Sequence, residues 1–139
     1  MGLDNGIHLR RIGNKLDIDS LPDYLNISEV SRSEKEDNSV IYDICYWRKC
    51  WNIRSMIFGF IPKLLQEDND GYYELNIQQL IGIRNGIYDF LKNPECWDNT
   101  IWELSEMILH LGQDIINISW LINHLKDNPK DYAYFYDSY

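Results

Sequence analysis

The chain has 139 residues, 45% of them hydrophobic, and a formal net charge of −9. That length suits one domain with a real core, and that charge excludes nonspecific nucleic-acid binding, which needs cations to displace counterions. It also excludes docking on anionic lipid, leaving a basic protein partner or simple solubility as its use.

The opening predicts a hairpin. Ile7, Leu9 and Arg11 alternate with His8, Arg10 and Ile12, Gly13-Asn14 is a tight-turn pair, and Leu16 and Ile18 resume the alternation. Pro22 and the charged stretch 33–38 mark residues 21–38 as loop, with room for one short helical turn. A long helix is expected over residues 40–59. Val40, Ile44, Trp47, Trp51 and Phe58 form one apolar stripe and Tyr46, Cys50, Ile53 and Ile57 a second. Arg48, Lys49, Asn52 and Ser55 make a narrow polar window between them. Pro62 should end or kink this helix.

Asp68-Asn69-Asp70-Gly71 reads as a turn, followed by a short extended piece at Tyr72–Leu75. Asn76 caps a second helix, with Gln79 reaching back and Ile77, Leu80, Ile83, Ile87 and Leu91 as its apolar positions. Gly82 and Gly86 lie one turn apart. Each costs about 1 kcal/mol against Ala, so a close neighbour or a strained helix is implied. After Asn93-Pro94, Thr100 and Glu103 match a capping box. Ile101, Leu104, Ile108, Leu111, Ile115, Ile118, Ile122 and Leu125 then predict a helix of about 25 residues. The stripe also suits a homo-oligomer through helix 101–125, although packing within the domain is the favoured use. Tyr132, Tyr134 and Tyr136 alternate with Ala133 and Phe135 as a strand does, beside the hairpin. The expected class is α+β: three main helices packed on a small antiparallel sheet formed by the N-terminal hairpin and the C-terminal strand.

Chemical motifs are sparse. Cys45, Cys50 and Cys96 cannot all pair, and no CxxC is present, so neither a disulfide framework nor a structural zinc is expected. A basic-then-apolar leader and a membrane-length apolar run are both missing, which makes the cytoplasm the expected location. Glu106, His110 and Asp114 share one helix side, but the spacing is not the Glu-x-x-His of di-metal bundles; a solvated face is the preferred reading, with no metal. Residues 66–77 match a calcium loop at Asp68, Asp70 and Gly71 but place Gln66 and Ile77 at two principal ligand positions. Nucleophile elbows and glycine-rich phosphate loops are absent, so a non-enzymatic protein without cofactors is expected.

The segment Tyr46–Arg54 stands out. Cations framed by aromatic rings suit a phosphate-bearing ligand with a base, the cations holding phosphate and a ring stacking on the base. The competing reading is structural: Arg48 pairs with Asp43 or Glu74, and the tryptophans are core.

The opening Met1-Gly2-Leu3-Asp4-Asn5-Gly6-Ile7, the central Tyr46-Trp47-Arg48-Lys49, Gly71-Tyr72-Tyr73 and the tail Tyr134-Phe135-Tyr136-Asp137-Ser138-Tyr139 resemble a family of small phage and prophage proteins. Members begin Met-Gly-Leu-Asp, carry a Tyr-Trp-Arg-Lys-Ala-Asn helix and close on an aromatic tail. Here Cys50-Trp51-Asn52 stands in place of Ala-Asn. The resemblance implies an accessory protein of a mobile element that antagonises bacterial immunity. The expected action is sequestration of a nucleotide signal: Arg48, Lys49 and Arg54 hold phosphates, with Asn52 beside them, while Trp47, Tyr136 and Tyr139 shape or stack the pocket. One alternative is an acidic inhibitor of the anti-CRISPR type, covering the basic channel of a host defence nuclease with residues such as Glu34, Glu36 and Asp37. A small hydrolase is the second alternative.

Overall fold

Alternation of side chains across a strand organises the sheet on which the helices of this protein pack. The computed structural model describes residues 4–30, 39–48, 50–66, 71–93 and 103–138. Strand β1 (Asp4–Ile12) is followed by a 3-10 turn at Ile18–Ser20, β2 (Ser28–Val30) and β3 (Ser39–Arg48). Helices α1 (Trp51–Phe58) and α2 (Lys63–Gln66), strand β4 (Tyr72–Leu75), helices α3 (Ile77–Lys92) and α4 (Leu104–Asp127), and strand β5 (Tyr132–Ser138) complete the order. The five strands form one antiparallel sheet in the order β2-β3-β1-β5-β4. The fold is α+β, as expected, with the N-terminal and C-terminal strands side by side in the sheet.

Register sorts the side chains by face. Ile7 lies opposite Cys45 and Phe135, and Leu9 opposite Tyr42 and Ala133. These residues join Ile53, Ile57, Leu80, Ile83, Ile87, Leu111, Ile118 and Leu121 from the helices in one buried cluster. The second face carries Tyr46, Tyr132, Tyr134 and Tyr136, with His8, Arg10 and Asp43. Its buried members Ile41 and Tyr134 lie outside that cluster.

Two expectations are corrected. Gly13 does turn the chain, with φ +102°, but the partner of β1 is β3, not residues 16–18. Leu16 instead packs on the core and gives its backbone N–H to the Tyr42 hydroxyl at 2.8 Å. The long helix over 40–59 is a strand to Arg48 and a helix only from Trp51. Strand β3 is rich in β-branched and aromatic residues, which suit a pleated surface. A register shift opposite Ile7/His8 places an extra residue in β3. That bulge breaks the period of two and leaves the spacing Val40, Ile44, Trp47, which imitates a helical stripe. Strand β2 spans only three residues inside the expected loop.

Other local features follow the sequence closely. Asn76 and Gln79 form the reciprocal capping box, each bond 2.8 Å long. Gly82 and Gly86 are notches for the segment around α1. A Cβ at Gly82 would strike the Phe60 ring, and one at Gly86 would lie 2.6 Å from Met56 Sδ. Helix α4 has 24 residues and begins with Glu103 at the N-cap. Thr100 and Ile101 of the expected start lie outside the described residues. None of the described helices is long and apolar enough to cross a membrane.

Candidate binding site

The expected cationic window does not assemble as one surface. Trp47 is fully buried, and its indole N–H donates to Asp114 at 2.7 Å, so neither ring face is open to a base. Arg48 is exposed at the end of β3, opposite Asp4. Asn52 is half-buried in the first turn of α1. Arg54 donates Nε and Nη2 to the two Asp137 oxygens, each at 2.9 Å. Its guanidinium also lies over Phe58, 4.6 Å from the ring centroid. Lys49 and Tyr139 lie outside the described residues, as do Glu34, Glu36 and Asp37. Tyr136 belongs to the second sheet face, whereas Arg54 engages Asp137, the next residue along β5, whose side chain faces the other way. The physical reason for the dispersal is the strand: residues one helical turn apart converge, whereas the described ones are divided between two strands and a helix. Of the two readings of Arg48, neither named partner is adjacent, since Asp43 approaches His8 Nε2 at 3.8 Å and Glu74 sits on β4 across the sheet.

A different hollow lies where β2 ends. Strand β2 pairs only with Ile41, Tyr42 and Asp43, so the following edge of β3 needs other partners for its polar backbone. Helix α4 supplies them. Asn117 Nδ2 donates to the Ile44 carbonyl at 3.0 Å and its Oδ1 accepts from Asn26 N–H at 3.3 Å. Gln113 bonds the Tyr24 carbonyl at 2.8 Å, and His110 bonds the Tyr46 backbone. Between helix and edge opens a cavity of about 510 Å³ lined by Asn26, Asp43, Tyr46, Glu106, His110 and Asp114, among others. The row Glu106, His110, Asp114 therefore runs from solvent into a seam: Glu106 is exposed as expected of a solvated face, His110 is half-buried, and Asp114 is buried at 3% exposure. Among the described residues no group of His, Cys, Asp and Glu gathers in a metal-holding arrangement.

The seam is electrostatically tense. Asp114 takes the Trp47 indole N–H and pairs with His110 Nδ1 at 3.1 Å, and the Cys45 thiol also bonds it. Burial, then the charge and hydrogen bond of Asp114, hold Cys45 well above the usual thiol range, so it stays neutral. Burial alone would lower the pKa of His110, but its hydrogen bond to Asp114 and the Asp114 charge raise it overall. Asp43 is pushed up to about 6 by burial and by Asp114, with His110 opposing. On the sheet side Asp43 meets His8, and burial together with the charge of Asp43 raises the Tyr136 phenol.

These shifts carry a sign. The folded pKa of Asp43 exceeds its ordinary value, so its contribution to stability is present at acid pH and is lost as pH rises from about 4 through 6. His110 shifts the same way, its stabilisation fading above the ordinary histidine range. Solvent reaches about a third of the Asp43 side chain, 34%, which screens its effect to roughly 1 kcal/mol. Asp43→Asn is thus expected to raise Tm by about 3–5 °C at pH 7.5 and to leave it unchanged at pH 4. Thermal melts at both pH values check this; an equal gain at both would detach the effect from ionisation.

Asp43 and Asn117 were not legible as site residues, because only the end of β2 gives the β3 edge to α4. Comparison with protein-family models, with curated proteins and with solved structures finds no match to this chain.

Proposed function

We propose that this protein is a non-enzymatic antagonist that binds a cationic surface of a partner protein, the cavity between α4 and β3 taking a positively charged side chain. One observation carries the reading: Asp43, Glu106 and Asp114 line the hollow, and among the described residues no lysine or arginine does. With a net charge of −9 around it, encounter with a basic surface is steered and wrong partners are repelled. The family resemblance makes a bacterial defence nuclease, whose nucleic-acid channel must be basic, the natural class of target. Sequestration of a nucleotide loses support, since Arg54 is paired with Asp137 and Trp47 is buried.

Titration calorimetry with an octa-arginine peptide tests the reading. Binding is expected at low salt and should weaken steeply by 0.5 M, where exposed charges are screened. Affinity should rise severalfold from pH 5 to pH 7.5, because Asp43, pushed up to about 6, ionises across that range and makes the cavity more negative, while His110 keeps its proton to a higher pH than an ordinary histidine. Asp114 and Glu106 on α4 and His8 and Tyr136 on the sheet face the same groups, so the profile belongs to the cluster. A peptide that gives no heat, alongside a nucleotide panel that does, would return the nucleotide reading.

A further inference from the structure

The second face of the sheet is tiled with tyrosines. Tyr132, Tyr134 and Tyr136 alternate along β5, with Tyr72 beside Tyr136 on β4 and Tyr46 two strands away on β3. The rings are held rather than loose. Tyr134 bonds His8 Nδ1 at 3.0 Å, Tyr136 lies tilted at 37° against the His8 ring with centroids 4.2 Å apart, and Tyr72 meets Tyr134 edge-on at 5.7 Å. Gly6 makes the tiling flat: a Cβ there would lie 2.8 Å from the Tyr136 hydroxyl and would strike the Cys45 carbonyl. Tyr136 thus lies down across β1 where any side chain would lift it. Tyr46 donates its hydroxyl to Asp4 at 2.7 Å. Tyr46 and Tyr72 remain 42% and 51% exposed. Tyr132 and Tyr136 are half-buried and Tyr134 is buried among them, while the helical core residues cluster with Ile7, Leu9, Ala133 and Phe135 of the opposite face.

Pre-organised tyrosines expose large, rigid, amphipathic area at low entropic cost, as protein-recognition surfaces do. Charge selects the partner. Asp4, Asp43 and Glu74 stand among the rings and the acid-lined cavity opens at the β3 margin; among the described residues Arg10 and Arg48 are the cations of the face. A single-stranded nucleic acid would stack on such rings but would meet these carboxylates. Guanidinium groups fit both features, stacking on tyrosine and pairing with carboxylate. The chain itself displays the contact, since the Arg10 guanidinium lies 5.8 Å from the Tyr132 ring centroid.

Resting on the reading that the partner is cationic, we infer that the tyrosine face is the main docking surface for an arginine-bearing protein partner, extending from the cavity at β3 across to Tyr72 on β4. Three strand spacings separate β3 from β4 in the sheet order, roughly 14 Å, so cavity and far margin can be tested apart. Octa-arginine and octa-lysine are titrated into the wild type, Tyr72→Ala, Tyr132→Ala and Asp43→Asn, with NMR amide shifts mapping the bound peptide. Octa-arginine is expected to bind more tightly than octa-lysine, to shift amides on β1, β4 and β5, and to weaken about fivefold or more in each tyrosine variant. Loss of binding in Asp43→Asn alone, with both tyrosine variants unchanged, would overturn the face and leave the cavity reading standing. A wild type that binds neither peptide would remove both. Equal affinity for the two peptides would overturn the guanidinium preference on which the inference stands. Sedimentation showing a dimer that Tyr72→Ala dissolves would assign the face to a second copy of this chain and overturn it as well.

Discussion

Asp114→Ala is expected to destabilise the protein by about 3–5 kcal/mol, the cost of removing one partner from a buried charged network. The Asp114 side chain is 4% exposed and accepts from a fully buried tryptophan. Alanine would leave the Trp47 N–H in an apolar core without its acceptor and would strip His110 of its counter-charge. Asp114→Asn separates the contributions. An amide oxygen can still accept from Trp47, so the loss should be smaller. The pKa of Asp43 should then fall back towards its ordinary value, because the Asp114 charge helps to raise it. Urea denaturation measures the first effect and NMR titration of the Asp43 carboxyl the second. A loss under about 1 kcal/mol in Asp114→Ala would deny Asp114 its place as the joint between α4 and β3.

Asp137→Ala should cost a similar amount, about 3–5 kcal/mol. Arg54 reaches Asp137 through two parallel bonds, the strongest geometry available to a guanidinium and a carboxylate. Asp137 is 5% exposed at the side chain and Arg54 21%. Phe58 and Trp51 flank the guanidinium at 4.6 and 5.7 Å, so the arginine is wedged as well as paired. Truncation of Asp137 leaves that cation among rings with its main counter-charge gone. The double variant Arg54→Met with Asp137→Leu should recover much of the loss, since well-packed apolar pairs often equal buried ion pairs. Chemical denaturation of the wild type, Arg54→Met, Asp137→Leu and the double variant decides it: a double variant as unstable as the sum of the two single ones would mean the pair is not coupled.

The parts of this fold that depend on local chemistry were legible in the sequence. Asn76 and Gln79 announce a helix start whatever surrounds them, because the capping box closes on itself. The alternation of Tyr132–Phe135 marks a strand, and paired glycines at 82 and 86 announce a close neighbour, which proves to be Phe60 and Met56. What misled was Ser39–Arg48. A bulge shifts the phase of a strand midway, and the resulting spacing is indistinguishable from that of a helix. The error carried into the site, since Arg48 and Asn52 share a face only if the segment is helical. His110 and Asp114 stand one helical turn apart in the sequence, but their place against β3 depends on where a strand of three residues, β2, stops. Asn5 is fully buried with neither amide atom hydrogen-bonded among the described residues, a cost that no sequence pattern announces.

The position of β5 bears on how the protein is made. This strand lies between β1 and β4, in the interior of the sheet and not at its rim. His8 and Tyr134, bonded across that junction, are 126 positions apart in the chain. Until residues 132–138 have left the ribosome, β4 has no neighbour and one side of β1 is bare. Contacts of such long range are slow to close, and an unpaired strand edge is prone to aggregate while it waits. Assembly of the sheet must therefore follow synthesis of this stretch, and a premature stop before Tyr132 would leave an unfinished sheet rather than a trimmed one.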